Sequence, residues 1–156
     1  MVLITNNGMS ISFNETEIRT TGRKTRGVRG IKLSANDRVV SMLQIMDEKE
    51  ILVVTQFGYG KRTDVGEYKT QARAGKGIKT IKITEKNGPV VAAKGVNKDD
   101  EIILISKNGT IIRIKVNQIS VLGRATQGVK LMKLEGSDEV ITISLTSKDD
   151  EEIIEP

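Results

Sequence analysis

The stretch that decides the fold is VLITNNGMSISFNETEIRTTGRKTRGVRGIKL, residues 2–33, because it returns twice. It comes back as LVVTQFGYGKRTDVGEYKTQARAGKGIKTIKI at 52–83 and as ILISKNGTIIRIKVNQISVLGRATQGVKLMKL at 103–134. Gly8, Gly58 and Gly109 correspond, as do Arg23, Arg73 and Arg124, and likewise Gly27, Gly77 and Gly128. Ile18, Tyr68 and Ile119 share one hydrophobic position. A short apolar run follows each stretch: VVSMLQI at 39–45, VVAAKGV at 90–96 and VITISLT at 140–146.

Each copy predicts four short strands. The first is apolar and β-branched (Val2–Thr5, Leu52–Thr55, Ile103–Ser106), and a turn ending in glycine follows it. Asn6-Asn7-Gly8, Gln56-Phe57-Gly58 and Lys107-Asn108-Gly109 are residue sets that tolerate a positive φ in a hairpin. A second strand leads into a loop of about a dozen residues. The third strand begins at the repeated Gly-Val or Gly-Ile, and the fourth is the apolar run. Helical periodicity is absent, so the chain reads as all-β.

Four-stranded units repeating at a period near 50 residues are the signature of propeller blades. A sandwich would have no reason to repeat Arg and Gly at matching offsets. The expected division is blade one at 1–50, blade two at 51–100, blade three at 101–147, and an acidic, disordered tail at 148–156. Propellers close with about four to eight blades, and this chain holds three, too few to close alone. Open sheet edges favour further pairing. The expectation is a piece of a longer subunit, with Met1 one residue before the first strand, or a homodimer that closes the ring.

Composition narrows the chemistry. With 29% charged residues and no long apolar run, the chain reads as soluble, with no membrane segment or signal peptide, and the cytoplasm as default. It has no Cys and no His, which removes disulfides, the usual transition-metal ligands and the bases of Ser/His or Cys/His catalysis. No catalytic residue, metal site or cofactor is expected.

The formal charge is only +5, but its placement is uneven. Residues 18–33 carry six basic residues, 68–83 carry five and 119–134 carry three, with no acid in any of the three segments. Those fourteen leave eleven basic residues against all 20 acids elsewhere. Single lysines and arginines on a solvated surface need no function, but chance does not clear acids from the same segment three times. Placed around an axis, the segments would form one basic arc suited to a polyanionic duplex, whose phosphates supply affinity without sequence information. A curved positive rim favours bending, and the scarcity of aromatics argues against single strands. A basic position faces each side of a regular third strand at Arg29 and Lys32, so either a bulge intervenes or only position 29 and its equivalents face the rim.

Other signals carry less. Gly75-Lys76 and Gly60-Lys61 lack the flanking residues and the strand–loop–helix context of a phosphate loop. Tyr68 stands where Ile18 and Ile119 stand and reads as packing. Asp99-Asp100-Glu101 reads as a solvated turn between copies. The tail from Asp149 to Pro156 reads as a solubilising segment or a competitor of DNA for the basic rim.

Gly58-Tyr59-Gly60-Lys61-Arg62-Thr63, followed by Glu67-Tyr68 and by Gln71-Ala72-Arg73-Ala74-Gly75-Lys76-Gly77, resembles the C-terminal domain of DNA gyrase A. So does the repeated Gly-Arg-x-Thr-x-Gly-Val at Gly22–Val28 and Gly123–Val129. The resemblance covers essentially the whole chain. It implies a β-pinwheel, a propeller variant with strand exchange between blades, six in gyrase, whose rim binds and wraps duplex DNA for negative supercoiling. The chain looks like the last three blades, half of such a six-bladed ring, plus the acidic tail. The heptad Gln71–Gly77 is similar to the gyrase-A box, with Ala72 and Ala74 where Arg/Lys and Gly are common; the box proper belongs to the first blade. The catalytic tyrosine of the family lies in the N-terminal region, so strand cleavage is not expected of this chain. The corresponding domain of topoisomerase IV is the near alternative.

The expected partners are double-stranded DNA and, in the parent enzyme, the rest of gyrase A together with gyrase B. The candidate DNA contacts are Arg19, Arg23, Lys24, Arg26, Arg29, Lys69, Gln71, Arg73, Lys76, Lys79, Arg124 and Lys130. The competing reading is a protein-interaction or self-assembling half-propeller whose basic rim recruits an acidic partner.

Overall fold

The computed structural model describes residues 1–146; the tail expected at 148–156 lies outside the described residues. The strands are β1 (Val2–Thr5), β2 (Met9–Ser12), β3 (Val39–Leu43), β4 (Glu50–Thr55), β5 (Tyr59–Asp64), β6 (Ile78–Lys79), β7 (Val90–Val96), β8 (Glu101–Ser106), β9 (Ile111–Lys115), β10 (Val129–Lys130) and β11 (Val140–Thr146). They form three small antiparallel sheets, ordered β3-β1-β2-β6, β10-β5-β4-β7 and β11-β8-β9. No helix among the described residues is long and apolar enough to cross a membrane.

Each sheet is built on a hairpin that the repeat dictates locally. Gly8, Gly58 and Gly109 close the turns with φ of +78°, +80° and +87°, a region that L side chains avoid. The hairpin strands pair in one register, Leu3↔Ile11, Val53↔Lys61 and Leu104↔Ile112. The apolar run that ends each copy then joins the other side of the first strand, with a register shift at corresponding places, Ile4/Thr5 and Val54/Thr55. A short 3-10 turn follows each hairpin, at Glu15–Glu17, Val65–Glu67 and Val116–Gln118. The first two are capped by Asn14 and Asp64 side chains.

The sheets do not coincide with the repeats. The third strand of a copy leaves its own hairpin and pairs with the second strand of the copy before it. Thus β6 of copy two completes the first sheet, Ile78 opposite Ser10 and Lys79 opposite Met9. Likewise β10 of copy three completes the second, Val129 opposite Gly60 and Lys130 opposite Tyr59. Four strands per copy therefore becomes two four-stranded sheets and one three-stranded sheet. Residues 28–33, expected to be the third strand of copy one, form no strand; the described residues hold no hairpin ahead of β1 for them to pair with, as β6 and β10 pair with β2 and β5.

Close backbone contact locks each exchanged strand. Gly77 and Gly128 open the donated segments with φ of +75° and +80°, and a Cβ there would lie 2.2 Å from the Ser10 carbonyl oxygen and 2.8 Å from that of Gly60. The pairing is brief. Thr80 and Ile81 N–H both point to the Gly8 carbonyl, and Leu131 and Met132 N–H both point to that of Gly58. This shared acceptor explains the irregular pattern of the third strand. The ladder ends after two residues, and Lys79 and Lys82, like Lys130 and Lys133, are exposed together.

Packing follows from alternation along the first strands. Val2, Ile4 and Leu43 of copy one meet Ile51, Val53, Tyr68, Ile81, Val90 and Ala93 of copy two. Leu52, Val54 and Val96 on the other face of copy two meet Ile102, Leu104, Val116, Ile119, Met132, Val140 and Ile143 of copy three. The middle sheet is thus buried between its two neighbours, the stacking of blades, and each fully buried aliphatic side chain contributes about 1.5–3 kcal/mol. Tyr68 lies in the first of these cores with 4% exposure, where burial holds its hydroxyl above the ordinary tyrosine range. Its Oη is 2.7 Å from Thr80 Oγ1.

Candidate nucleic-acid interface

The basic loops run between the 3-10 turns and the exchanged strands. Three successive residues of β5 hold the loop of copy three. The Lys61 ammonium donates to the carbonyls of Gly123 and Arg124 and lies 3.1 Å from Thr126 Oγ1. Arg62 donates from Nε to the Ile119 carbonyl at 2.8 Å and pairs with the Glu50 carboxylate. Thr63 Oγ1 donates to the Leu122 carbonyl at 2.7 Å. Lys61 and Thr63 are fully buried and Arg62 nearly so. This clamp fixes the backbone that carries Arg124. The loop of copy two has no such set, since Ile11, Ser12 and Phe13 occupy the equivalent positions and an Ile11 methyl packs on Gly75 instead.

Sequence reasoning missed the clamp. Lys61, Arg62 and Thr63 stood out only as part of a family-like motif, and nothing local marks a lysine as buried. Its Nζ sits on carbonyl oxygens rather than at an open phosphate loop. Burial, assisted by the Arg124 charge and opposed by Glu67, lowers its pKa to about 8. The unfolded chain, with a lysine pKa of about 10.4, therefore binds more protons than the native chain between those values. Stability gains from this residue as pH rises through that window. Thermal melts of the parent chain and of Lys61→Met at about pH 7.5 and about pH 10 check this: the parent should gain on the variant at the higher pH. An equal pH response of the two proteins would contradict it.

The repeated arginine proves to be a seam residue as well as a candidate contact. Arg73 donates from Nη1 to the Arg29 carbonyl, and Arg124 from Nη1 to the Lys79 carbonyl at 2.9 Å. Their backbone N–H groups donate to the Glu17 and Glu67 carboxylates at 2.9 and 3.2 Å. The Nε of each is buried and makes no hydrogen bond among the described residues, that of Arg124 standing 3.9 Å from the Glu67 carboxylate. These bonds bring Arg73 beside Arg29 and Arg124 beside Lys79, so the basic loops of copies two and three each abut the third-strand segment of the preceding copy. Glu17 and Glu67, just outside the acid-free segments, are the acids that hold them.

The other candidates divide by exposure. Arg19, Arg23, Lys24, Arg26, Arg29, Lys69, Lys76, Lys79 and Lys130 are exposed, whereas Gln71, Arg73 and Arg124 are half-buried. Lys130 Nζ lies 5.8 Å from the centre of the Tyr59 ring, and Lys86, outside the candidate set, lies 5.9 Å from it. Among the described residues no three acidic, histidine or cysteine side chains gather as a metal site.

Stacked antiparallel sheets completed by exchanged strands, with basic loops lodged at the seams, define a bladed, propeller-type module. The chain belongs to the DNA gyrase C-terminal domain, beta-propeller family, whose model matches residues 1–46, 49–97 and 100–147. It is 45% identical over 148 residues to the DNA gyrase A protein of Salmonella typhimurium, covering 94% of this chain and 17% of that protein. It is 42% identical over 153 residues to the gyrase A of Haloquadratum walsbyi, covering 97% of this chain and 18% of that one. The chain therefore spans less than a fifth of these relatives. The solved DNA gyrase A C-terminal domain superposes with a TM-score of 0.87 at 31% identity, over 92% of this chain and 49% of that chain. The C-terminal domain of DNA topoisomerase IV superposes with 0.88 at 27%, over 95% and 46%.

Proposed function

We propose that the chain binds and bends duplex DNA without sequence preference, as the DNA-wrapping part of a gyrase A protein in the cytoplasm. The observation that carries the reading is the contact of the second and third basic loops with the preceding copy's third-strand segment. Arg19–Arg29, then Arg73 with Lys69 and Lys76, then Lys79, then Arg124, then Lys130 follow one another across the seams. Phosphates along a curved duplex are spaced to meet such an arc, and burial of neighbouring charges is not required of a surface that contacts backbone only. Gln71 adds a neutral donor to the same loop. Catalysis belongs to other parts of the parent enzyme, in which the remainder of gyrase A and gyrase B are the protein partners in this reading.

The test is the salt dependence of binding, together with ligation of a nicked circle. Six to eight phosphate contacts give a slope of log affinity against log salt of about −5 to −7. Circles ligated with the protein bound should close with a shifted linking number, and circles ligated in its absence should not. A slope near zero would remove the phosphate reading. A steep slope with unshifted topoisomers would leave binding and remove bending.

A further inference from the structure

The hairpin of copy two does not need a lysine at position 61. Ile11 and Ile112 hold the same place in the sister hairpins, opposite Leu3 and Leu104 as Lys61 stands opposite Val53. Nor does the turn that Lys61 holds need it to form. Gly22–Thr25 in copy one closes with the Thr25 N–H and Oγ1 on the Gly22 carbonyl, at 3.3 and 2.7 Å. Gly123–Thr126 closes in the same way, at 3.4 and 2.8 Å. An ammonium with no solvent exposure costs more to bury than an isoleucine, so the use of Lys61 lies outside the local fold.

What Lys61 adds is reach. Backbone pairing of β5 with the copy-three loop extends to Leu122, whose N–H donates to the Arg62 carbonyl at 2.8 Å. The Thr63 hydroxyl secures the same residue through its carbonyl. Lys61 continues past it, onto the Gly123 carbonyl, the Arg124 carbonyl at 2.8 Å and Thr126 Oγ1 at 3.1 Å. Those three acceptors match the three N–H groups of an ammonium, and the side chain is fully buried. Lys61 can therefore meet no phosphate itself and can act only through the turn. On that turn the Arg124 side chain is 32% exposed, with Nη1 on the Lys79 carbonyl and no hydrogen bond from Nη2 among the described residues.

We infer that Lys61, with Thr63, is a positioning residue for duplex binding: it holds the 123–126 turn so that the Arg124 guanidinium meets a phosphate already in place. The inference rests on the duplex reading proposed above. A contact that needs no ordering on binding keeps the free energy that ordering would consume. Copy three has the most to gain, because its acid-free segment carries three basic residues where the other two carry six and five.

The test is a double-mutant cycle on affinity for a labelled duplex at low salt, well below the Lys61 pKa of about 8, so that the ammonium is charged. Lys61→Met should bind about 10-fold more weakly than the parent chain, and Thr63→Val, which keeps shape and charge but loses the donor, about 3-fold. Thr63→Ser restores the hydroxyl and should bind as the parent does. In an Arg124→Ala background neither Lys61→Met nor Thr63→Val should weaken binding further, because the group they position is gone. The salt slope of Lys61→Met should flatten by about 0.9, one phosphate contact. Circular dichroism confirms that each variant keeps its strands, and Thr63→Val carries the test should Lys61→Met fail to fold. Losses that add in full to that of Arg124→Ala overturn the inference, since they would mark the clamp as structural alone. Parent-like binding by Thr63→Val and Lys61→Met overturns it while leaving the duplex reading in place. A parent chain without salt-dependent binding removes both.

Discussion

Replacing Arg23, Lys24, Arg26 and Arg29 together with alanine lowers affinity for duplex DNA by about 100-fold or more at low salt. All four are exposed on a segment that holds no acid. Each phosphate contact removed releases one fewer condensed counterion, so the salt slope should flatten by about 0.9 per residue. A companion variant separates placement from net charge. Lys49, Lys94, Lys98 and Lys107 are also exposed but lie outside the acid-free segments. Changing these four to alanine removes the same formal charge and should alter affinity by only a few-fold. Titration of a labelled duplex at about 50 and about 200 mM salt reads both effects. Equal losses in the two variants would reduce the interface to a general positive field.

The second large effect falls on folding. Gly77→Val should destabilise the chain by about 3–5 kcal/mol. A β-branched residue at φ +75° is a steric outlier, worth about 1–2 kcal/mol. Its Cβ would also stand 2.2 Å from the Ser10 carbonyl oxygen, where backbone must move. Moving it breaks the pairing of β6 with β2 and withdraws Ile81 from the core it shares with Val2 and Ile4. The melting temperature should fall by about 10 °C. Gly75→Ala, two residues earlier, meets only ordinary contacts at 3.6 Å with no positive φ, and should change stability by about 0.5 kcal/mol or less. A Gly77→Val chain that melts with the parent would mean that the seam carries little of the fold.

What could be read from residues alone follows the distance over which the information acts. The hairpins were legible because Gly8, Gly58 and Gly109 each demand their turn from within three residues. The blade period was legible because three copies repeat it, and Tyr68 was placed as packing by its alignment with Ile18 and Ile119. The exchanged strands were not legible from composition or spacing. Val129 pairs with Gly60, and no local pattern names a partner so far back; only the family resemblance implied exchange. Arg73 and Arg124 looked like surface charge because their carbonyl acceptors, Arg29 and Lys79, belong to another copy. Lys61 was opaque for the same reason. Its partners lie 62 to 65 positions away, and a hydrophobic isoleucine fills its place in both sister copies.

Strand exchange also sets a timetable for synthesis. Ser10 bonds to the Ile78 carbonyl 68 positions later, so a chain emerging N-terminus first holds the edge of β2 bare until the next copy has left the ribosome. Each sheet matures one repeat behind the point of elongation. A nascent propeller with sheets confined to their own repeats would seal each one as it appeared. Here the newest edge is always sticky and the previous one has just been covered, which restricts premature pairing to a single strand at any moment.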